Sequence, residues 1–115
     1  DKTEENRELV KSFIENVCIH KSDDKVSDYI DRDKFIEHST LMNLIHKIGE
    51  MKYKKSHRVL VEGSFALAVT EGENHGVHTS FYDLFRIESA RIVEHWDTTE
   101  KVPPESEWKN NNGKF

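Results

Sequence analysis

The sequence is poor in cysteine and proline and has no long apolar run. Its 115 residues include one cysteine, two prolines and five glycines. A single cysteine cannot form an internal disulfide, and this fits a reducing compartment, so we expect a cytoplasmic protein. No apolar stretch approaches the roughly 20 residues that a membrane-spanning helix needs, so we expect no membrane contact.

An excess of positive charge is also missing. The chain has 22 acidic and 17 basic residues and a formal net charge of −5. Such a surface repels phosphates, so we expect no general nucleic-acid binding. The one basic run lies within residues 52–58. It is short and is more typical of a solvated strand edge than of a binding patch.

Apolar residues recur at spacings of three and four in the first 50 residues, which is the stripe of amphipathic helices. The pattern predicts a long first helix, a short piece near residues 24–30, a helical turn after Asp33 and a helix over residues 41–50. The apolar members are Leu9, Val10, Phe13, Ile14 and Val17, then Val26, Tyr29 and Ile30, then Phe35 and Ile36, and finally Leu41, Leu44, Ile45 and Ile48. Cys18 is predicted as buried filler, with a reactive thiol as the alternative.

After Gly49 the period changes to two, which predicts strands. The predicted strands cover residues 53–62, 65–71, 77–87 and 91–98, and turns separate them at 63–64, 72–76 and 88–90. Helices followed by antiparallel strands indicate one α+β domain over residues 1–115. The nucleotide-binding motifs G-x-G-x-x-G and G-x-x-x-x-G-K are absent from the sequence.

The last predicted hairpin, FYDLFRIESARIVEHWD, has two distinct faces by strand parity. The first face carries Asp83, His95 and Asp97 together with Phe81, Phe85 and Val93, and the second carries Tyr82, Leu84 and Trp96. If the first face is concave, two carboxylates and an imidazole lie among apolar side chains, a setting that suits proton transfer. The alternative is that these polar residues pair only for structure.

The seven histidines raise the question of a metal site. None of the spacings that mark a zinc site, such as H-E-x-x-H or paired cysteines, occurs in the sequence. We therefore expect no metal and no cofactor.

Several motifs together resemble a known family. They are VLVEGSFALAVTEG, the Y-D-L-F-R and I-V-E-H-W-D stretches, the double proline and the closing N-G-x-F. Through these motifs the chain resembles the SnoaL-like group of the nuclear-transport-factor-2-like superfamily. The E-H-W-D ending with its tail is typical of a bacterial subgroup described as aldol-condensation or polyketide-cyclase-like enzymes.

The resemblance implies a fold in which a strongly curved antiparallel sheet wraps the N-terminal helices into a cone with a pocket. It also implies a homodimer formed through the outer sheet face, where Trp96, Tyr82 and Leu84 would lie. His38 would take the position of the family's Q-H-N-P histidine and act as a general base, and Phe35 would line the pocket. A protonated Asp83 would be the oxyanion donor, as in ketosteroid isomerase of the same superfamily. His95 and Asp97 would form a second acid/base pair.

Three functions remain open from the sequence. The first is a cofactor-independent isomerase, cyclase or aldol-type enzyme acting on a carbonyl compound. The second is a non-catalytic dimeric module that binds or senses a small apolar molecule. The third is a protein-interaction scaffold with a filled interior.

Overall fold

Helices precede the sheet along the chain in the computed structural model, which describes residues 2–39 and 42–104. The helices are α1 (Thr3–Phe13), α2 (Val26–Tyr29) and α3 (Leu44–Glu50), with a π-helical segment at Ile14–Ile19 and a 3-10 turn at Asp23–Lys25. The strands are β1 (Ile36–Glu37), β2 (Lys52–Glu62), β3 (Phe65–Asn74), β4 (Val77–Glu88) and β5 (Arg91–Lys101). The closing N-G-x-F motif and the predicted helix start at Leu41 lie outside the described residues.

The sheet is curved, and its strand order is β1-β5-β4-β3-β2. Strands β2 to β5 are antiparallel, which confirms the predicted α+β class, while β1 runs parallel to β5. The predicted helical turn at Phe35 and Ile36 is therefore wrong. Pairing of Ile36 with Glu94 on β5 draws this segment into the sheet, so tertiary contact overrides the local pattern.

The hairpin turns lie close to their predicted places. Ser89 and Ala90 connect β4 to β5 with positive φ at both residues, as a tight two-residue turn requires. The turn before β4 is narrower than predicted, because β3 continues to Asn74. Gly72 lies inside that strand, where a Cβ would come within 1.8 Å of the Lys52 carbonyl oxygen. This glycine therefore serves close packing and not a turn.

The core lies between α1 and the concave face of the sheet. Phe13 packs edge-on against Phe85 of β4, with ring centroids 5.7 Å apart. Cys18 is free and fully buried, as predicted for filler, whereas the cytoplasmic location stays a prediction. Within the described part of the chain, no helix is both long and apolar enough to span a membrane.

Helix α3 turns an unexpected face to the interior. The predicted apolar stripe included Ile45, but Ile45 is 43% exposed. The buried side chains of α3 are Leu44, Lys47 and Ile48, and Lys47 is only 2% exposed. The fold thus carries a lysine ammonium into the middle of the molecule.

Candidate active site

Asp83, on β4, lies at the centre of a buried polar cluster. Its carboxylate is fully buried, and Oδ1 accepts hydrogen bonds from Lys47 Nζ at 2.9 Å and His95 Nε2 at 2.8 Å. The Tyr53 hydroxyl donates to Oδ2 at 3.0 Å. Three different elements, α3, β5 and β2, therefore meet at this one carboxylate.

Lys47 joins Asp83 to a second carboxylate. Its ammonium donates to Asp97 Oδ2 at 2.7 Å, and Asp97 is paired with Asp83 across β4 and β5. The nitrogen also lies 5.4 Å from the ring centre of Phe81, within cation–π range. One lysine charge thus separates two carboxylates that would otherwise repel each other.

Glu37 extends the cluster on the other side of His95. Its Oε2 lies 2.6 Å from His95 Nδ1, so both ring nitrogens of His95 face a carboxylate. The two Glu37 oxygens also accept backbone N–H groups of His38, Ser39 and Leu44. Below, "the central network" denotes the six residues Glu37, Lys47, Tyr53, Asp83, His95 and Asp97.

The central network fixes the charges of its members. Burial alone would raise the pKa of Asp83, but the hydrogen bond from His95 and the charge of Lys47 hold that pKa below its usual value. Burial would lower the pKa values of His95 and Lys47, and the carboxylates around each raise both instead. The arrangement therefore favours an ionised Asp83 between two cations.

Tyr53 stays neutral in these surroundings. Its burial, and then the charge of Asp83, raise the phenol pKa well above the usual value. A neutral phenol can donate a hydrogen bond to a carboxylate, which matches the 3.0 Å contact to Asp83. Tyr53 is therefore a hydrogen-bond donor and not a candidate base.

An open cavity of about 720 Å³ lies next to the central network. Asp97 and Lys47 line it, along with His38, Met42, Met51, Asn74 and His75. The Asp97 side chain is 10% exposed, whereas the side chains of Asp83 and His95 are at most 1% exposed. We call this space the Asp97 cavity, because Asp97 is the carboxylate through which the network reaches it.

The structure brings three of the predicted site residues together. Asp83, His95 and Asp97 share the concave face, which confirms the parity argument. Each offers one nitrogen or oxygen atom that could bind a metal ion, and these atoms lie within 4.8 Å of one another. Such a spacing is open to a metal ion in principle. Lys47 Nζ already lies against both aspartates, however, so an ammonium supplies the positive charge there.

His38 also lines the Asp97 cavity, but its ring bonds to other partners than those three residues. Its ring Nε2 lies 2.6 Å from Glu94 Oε2 and its ring stacks on Trp96 at 4.7 Å, and both partners project from the outer face of β5. The contacts of His38 are thus opposite in direction to those of Asp83. The neighbouring Glu37 is the residue of this segment that reaches inward.

These contacts bear on two predicted roles. Burial would raise the pKa of Asp83, but His95 and Lys47 hold it below the usual value, and Lys47 Nζ and the Tyr53 hydroxyl donate to it, which favours an ionised acceptor over the predicted neutral donor. The predicted His95–Asp97 pair is not formed as a direct hydrogen bond. His95 bonds to Asp83 and Glu37, and Asp97 bonds to Lys47.

The aromatic and apolar predictions divide into two groups. Phe81, Phe85 and Val93 are on the concave face as predicted, but at 0–1% exposure they form core packing and not an open lining. Phe35 is half-buried and lines a separate cavity. On the outer face, the half-buried residues are Tyr82, Leu84 and Trp96, as parity predicted.

Sequence reasoning missed Lys47, Tyr53 and Glu37. Tyr53 had a usable signal, because it alternates with exposed Lys52 and Lys54 on β2 and so had to face inward. Lys47 lies between Leu44 and Ile48 on one helical face, but a lysine at that position is usually assigned to solvent.

Comparison with known proteins gives the fold. No protein-family model and no curated protein matches the chain. Among solved structures, a nuclear-transport-factor-2-like protein from Burkholderia xenovorans matches with a TM-score of 0.75 and 15% identity, over 98% of this chain and 100% of that one. A putative ketosteroid isomerase from Kribbella flavida gives 0.73 and 11%, over 99% and 93%. A SnoaL-like polyketide cyclase from Agrobacterium tumefaciens gives 0.65 and 10%, over 84% and 91%. The chain therefore has the nuclear-transport-factor-2-like fold that its motifs predicted.

Proposed function

We propose that this protein binds a small carbonyl compound in the Asp97 cavity and catalyses proton transfer on it. The observation that carries the proposal is a carboxylate and an ammonium in direct contact at a cavity wall, Asp97 Oδ2 and Lys47 Nζ at 2.7 Å. Such a pair offers both a base for a carbon acid and a cation for the oxygen that becomes negative.

Each atom of the pair has a separate task in this reaction. Asp97 Oδ1 has no hydrogen-bond partner among residues 2–39 and 42–104, so it is the candidate base. It takes a proton from the carbon beside the carbonyl, and the C–H electron pair moves into an enolate. Lys47 donates two of its three N–H groups to Asp83 and Asp97, and the third can donate to the enolate oxygen. Return of the proton to another carbon completes an isomerisation.

The rest of the central network would keep this pair in place. Asp83 holds Lys47 as an ammonium, and His95 and Tyr53 hold Asp83 as a carboxylate. These residues act as positioning residues, because Asp83, His95 and Tyr53 do not line the Asp97 cavity, whereas Lys47 and Asp97 do. The Kribbella flavida and Agrobacterium tumefaciens proteins are described as a ketosteroid isomerase and a polyketide cyclase, names that fit chemistry beside a carbonyl group.

Hydrogen–deuterium exchange tests the proposal without knowledge of the natural substrate. A panel of cyclic ketones and β,γ-unsaturated ketones is incubated with the protein in D₂O, and loss of the α-proton signal is followed by NMR. We expect exchange above the buffer rate and at least a 100-fold decrease in Asp97→Asn, the scale of a lost general base. Asp33→Asn, a change at an exposed aspartate, is the control. Equal rates in wild type and Asp97→Asn would disprove the base.

A second candidate function is binding without catalysis. It is favoured by one observation: Asp83 and His95 satisfy each other and their neighbours so fully that they behave as structural groups. In that case a ketone from the panel binds, measured by ligand-observed NMR, but its α-protons do not exchange faster than in buffer. Binding that is weakened by Asp97→Asn without any exchange supports this second function.

We also propose that two copies associate through the outer sheet face. This face carries Trp96, Tyr82 and Leu84, beside Leu60 and Phe65, which are 53% and 42% exposed. An apolar face of this kind is usually covered by a partner. The same face would serve the third function, a protein-interaction scaffold.

Light scattering over a concentration series tests the dimer. Wild type should show a mass near twice 13.5 kDa, and Leu60→Glu should reduce it to the monomer mass without touching the core. Trp96→Ala should weaken the dimer in the same assay. Val77→Glu, also at an exposed apolar residue but on the opposite strand parity, should not change the mass. A wild-type mass of 13.5 kDa at every concentration would count against the dimer.

A further inference from the structure

A second cavity of about 630 Å³ lies between α2, β1 and α3. Its apolar wall is formed by Val26, Ile30, Phe35 and Ile45. It shares no lining residue with the Asp97 cavity, so it is a separate space and does not depend on the function proposed above. We call it the Arg32 cavity, after the arginine at its rim.

The Ile45 side of the apolar wall is open to solvent because of how α3 is oriented. Lys47 occupies the interior side of this helix and bonds to two buried carboxylates. Ile45, two residues earlier, is consequently turned away from the core and is 43% exposed in the wall of the Arg32 cavity. The buried charge pair thus leaves an apolar surface that an apolar ligand can cover.

Most polar side chains that line the Arg32 cavity already have a hydrogen-bond or ion-pair partner in the protein. Glu37 already accepts bonds from His95 and from backbone amides, and the Asn43 side chain accepts the His46 amide. His46 lies 3.6 Å from Glu50. Arg32 is exposed and has neither an ion pair nor a hydrogen bond among the described residues. The uncommitted charge of this site is therefore a guanidinium.

We propose that the Arg32 cavity binds an amphipathic monocarboxylate. The apolar body would lie against Phe35 and Ile45, and the carboxylate would meet the guanidinium of Arg32, whose planar fork matches two carboxylate oxygens. The volume is within the range of small-ligand pockets and has more than enough room for a body of about eight carbons. Glu37 disfavours a second negative group on the ligand, which restricts the ligand to a single carboxylate.

A charge series at constant tail length tests this site. Octanoate, octan-1-ol and octylamine are titrated into the full chain, and chemical-shift changes in the protein give the affinities. Octanoate should bind at least tenfold more tightly than octan-1-ol, and octylamine most weakly. Equal affinity for octanoate and octan-1-ol, or a preference for octylamine, would overturn the proposal.

Variants locate the binding. Arg32→Gln should reduce octanoate affinity to that of octan-1-ol, whereas Arg58→Gln, on the exposed edge strand β2, should retain the tenfold preference. Ile45→Ser should weaken all three ligands. Thr99→Ala, in the lining of the Asp97 cavity, should leave octanoate binding unchanged. If Arg32→Gln keeps the preference, or Thr99→Ala removes it, octanoate does not bind as proposed.

Discussion

Replacement of Asp83 by asparagine should destabilise the protein strongly. The amide keeps the size of the side chain but removes the negative charge between Lys47 and His95, which are both buried. It also places an NH₂ donor where an oxygen now accepts a hydrogen bond. The variant therefore isolates the electrostatic contribution of one carboxylate at nearly constant volume.

The loss of unfolding free energy depends on which charged partners Lys47 and His95 keep in the variant. Loss of one partner from a buried ion pair costs about 3–5 kcal/mol, because the other charge stays buried without compensation. Here Lys47 keeps Asp97 and His95 keeps Glu37. We therefore expect the lower end, about 3 kcal/mol, which corresponds to a fall in Tm of about 12 °C for a domain of this size.

Urea denaturation at pH 6, followed by circular dichroism and tryptophan fluorescence, measures the change. Asp33→Asn, at an exposed aspartate, should alter the free energy of unfolding by less than about 0.5 kcal/mol. A loss below about 1 kcal/mol in Asp83→Asn, with an unchanged m-value, would refute the charge assignment. It would mean that Asp83 is already protonated in the native protein, as the neutral-donor hypothesis required.

Three further predictions concern the stability of the protein. The free energy of unfolding should be greatest between about pH 4 and 6.5. Asp83 stabilises the native state fully above the pKa it has in the unfolded chain, and this stabilisation is lost as the pH falls through its lowered native pKa. His95 stabilises the native state fully below the pKa it has in the unfolded chain, and this stabilisation is lost as the pH rises through its raised native pKa. In urea titrations, His95→Gln should therefore flatten the alkaline side of the plot of unfolding free energy against pH. Tyr53→Phe should cost about 1.5–3 kcal/mol in the same titrations, as the loss of a hydrogen bond to a charged group; an unchanged stability would contradict that bond. Gly72→Ala should destabilise by about 1–3 kcal/mol, because its Cβ would meet the Lys52 carbonyl, whereas Gly49→Ala, in open space on α3, should stabilise by about 0.5–1 kcal/mol; equal Tm shifts would contradict the close approach.

The hairpin of β4 and β5 could be predicted from the sequence alone. Its alternation is long, and Glu88-Ser89-Ala90 places the turn. Counting from the turn does not give the exact register, because a β-bulge between Arg86 and Ile87 shifts the pairing by one residue and so brings Asp83 opposite Asp97. The curved α+β fold followed from the change of period after Gly49 and from the motifs. The strand alternation and the change of hydrophobic period are local patterns that repeat over many residues, and they can therefore be recognised without knowledge of the tertiary contacts.

The buried lysine could not be predicted in this way. On α3, Lys47 and Ile45 compete for the interior, and hydrophobicity alone favours Ile45. The outcome is decided by Asp83 and Asp97, which are 36 and 50 residues further along the chain. The two carboxylates face the helix only after the sheet has assembled, and their charges then offset the desolvation cost of burying an ammonium.

A shift of one residue separates the predicted base from the observed network. β1 has two residues, too few for alternation to reveal which side chain faces inward. The parallel pairing of Glu37 with His95, extended by a hydrogen bond from the His38 amide to the His95 carbonyl, settles it, and successive side chains then lie on opposite faces. Glu37 consequently bonds to His95 in the interior, whereas the His38 ring contacts Glu94 and Trp96, beside the Asp97 cavity that His38 also lines. The interior therefore receives a third carboxylate and a single imidazole. The carboxylates outweigh the effect of burial and raise the pKa values of His95 and Lys47, and Asp97 is the carboxylate of the central network that lines the Asp97 cavity.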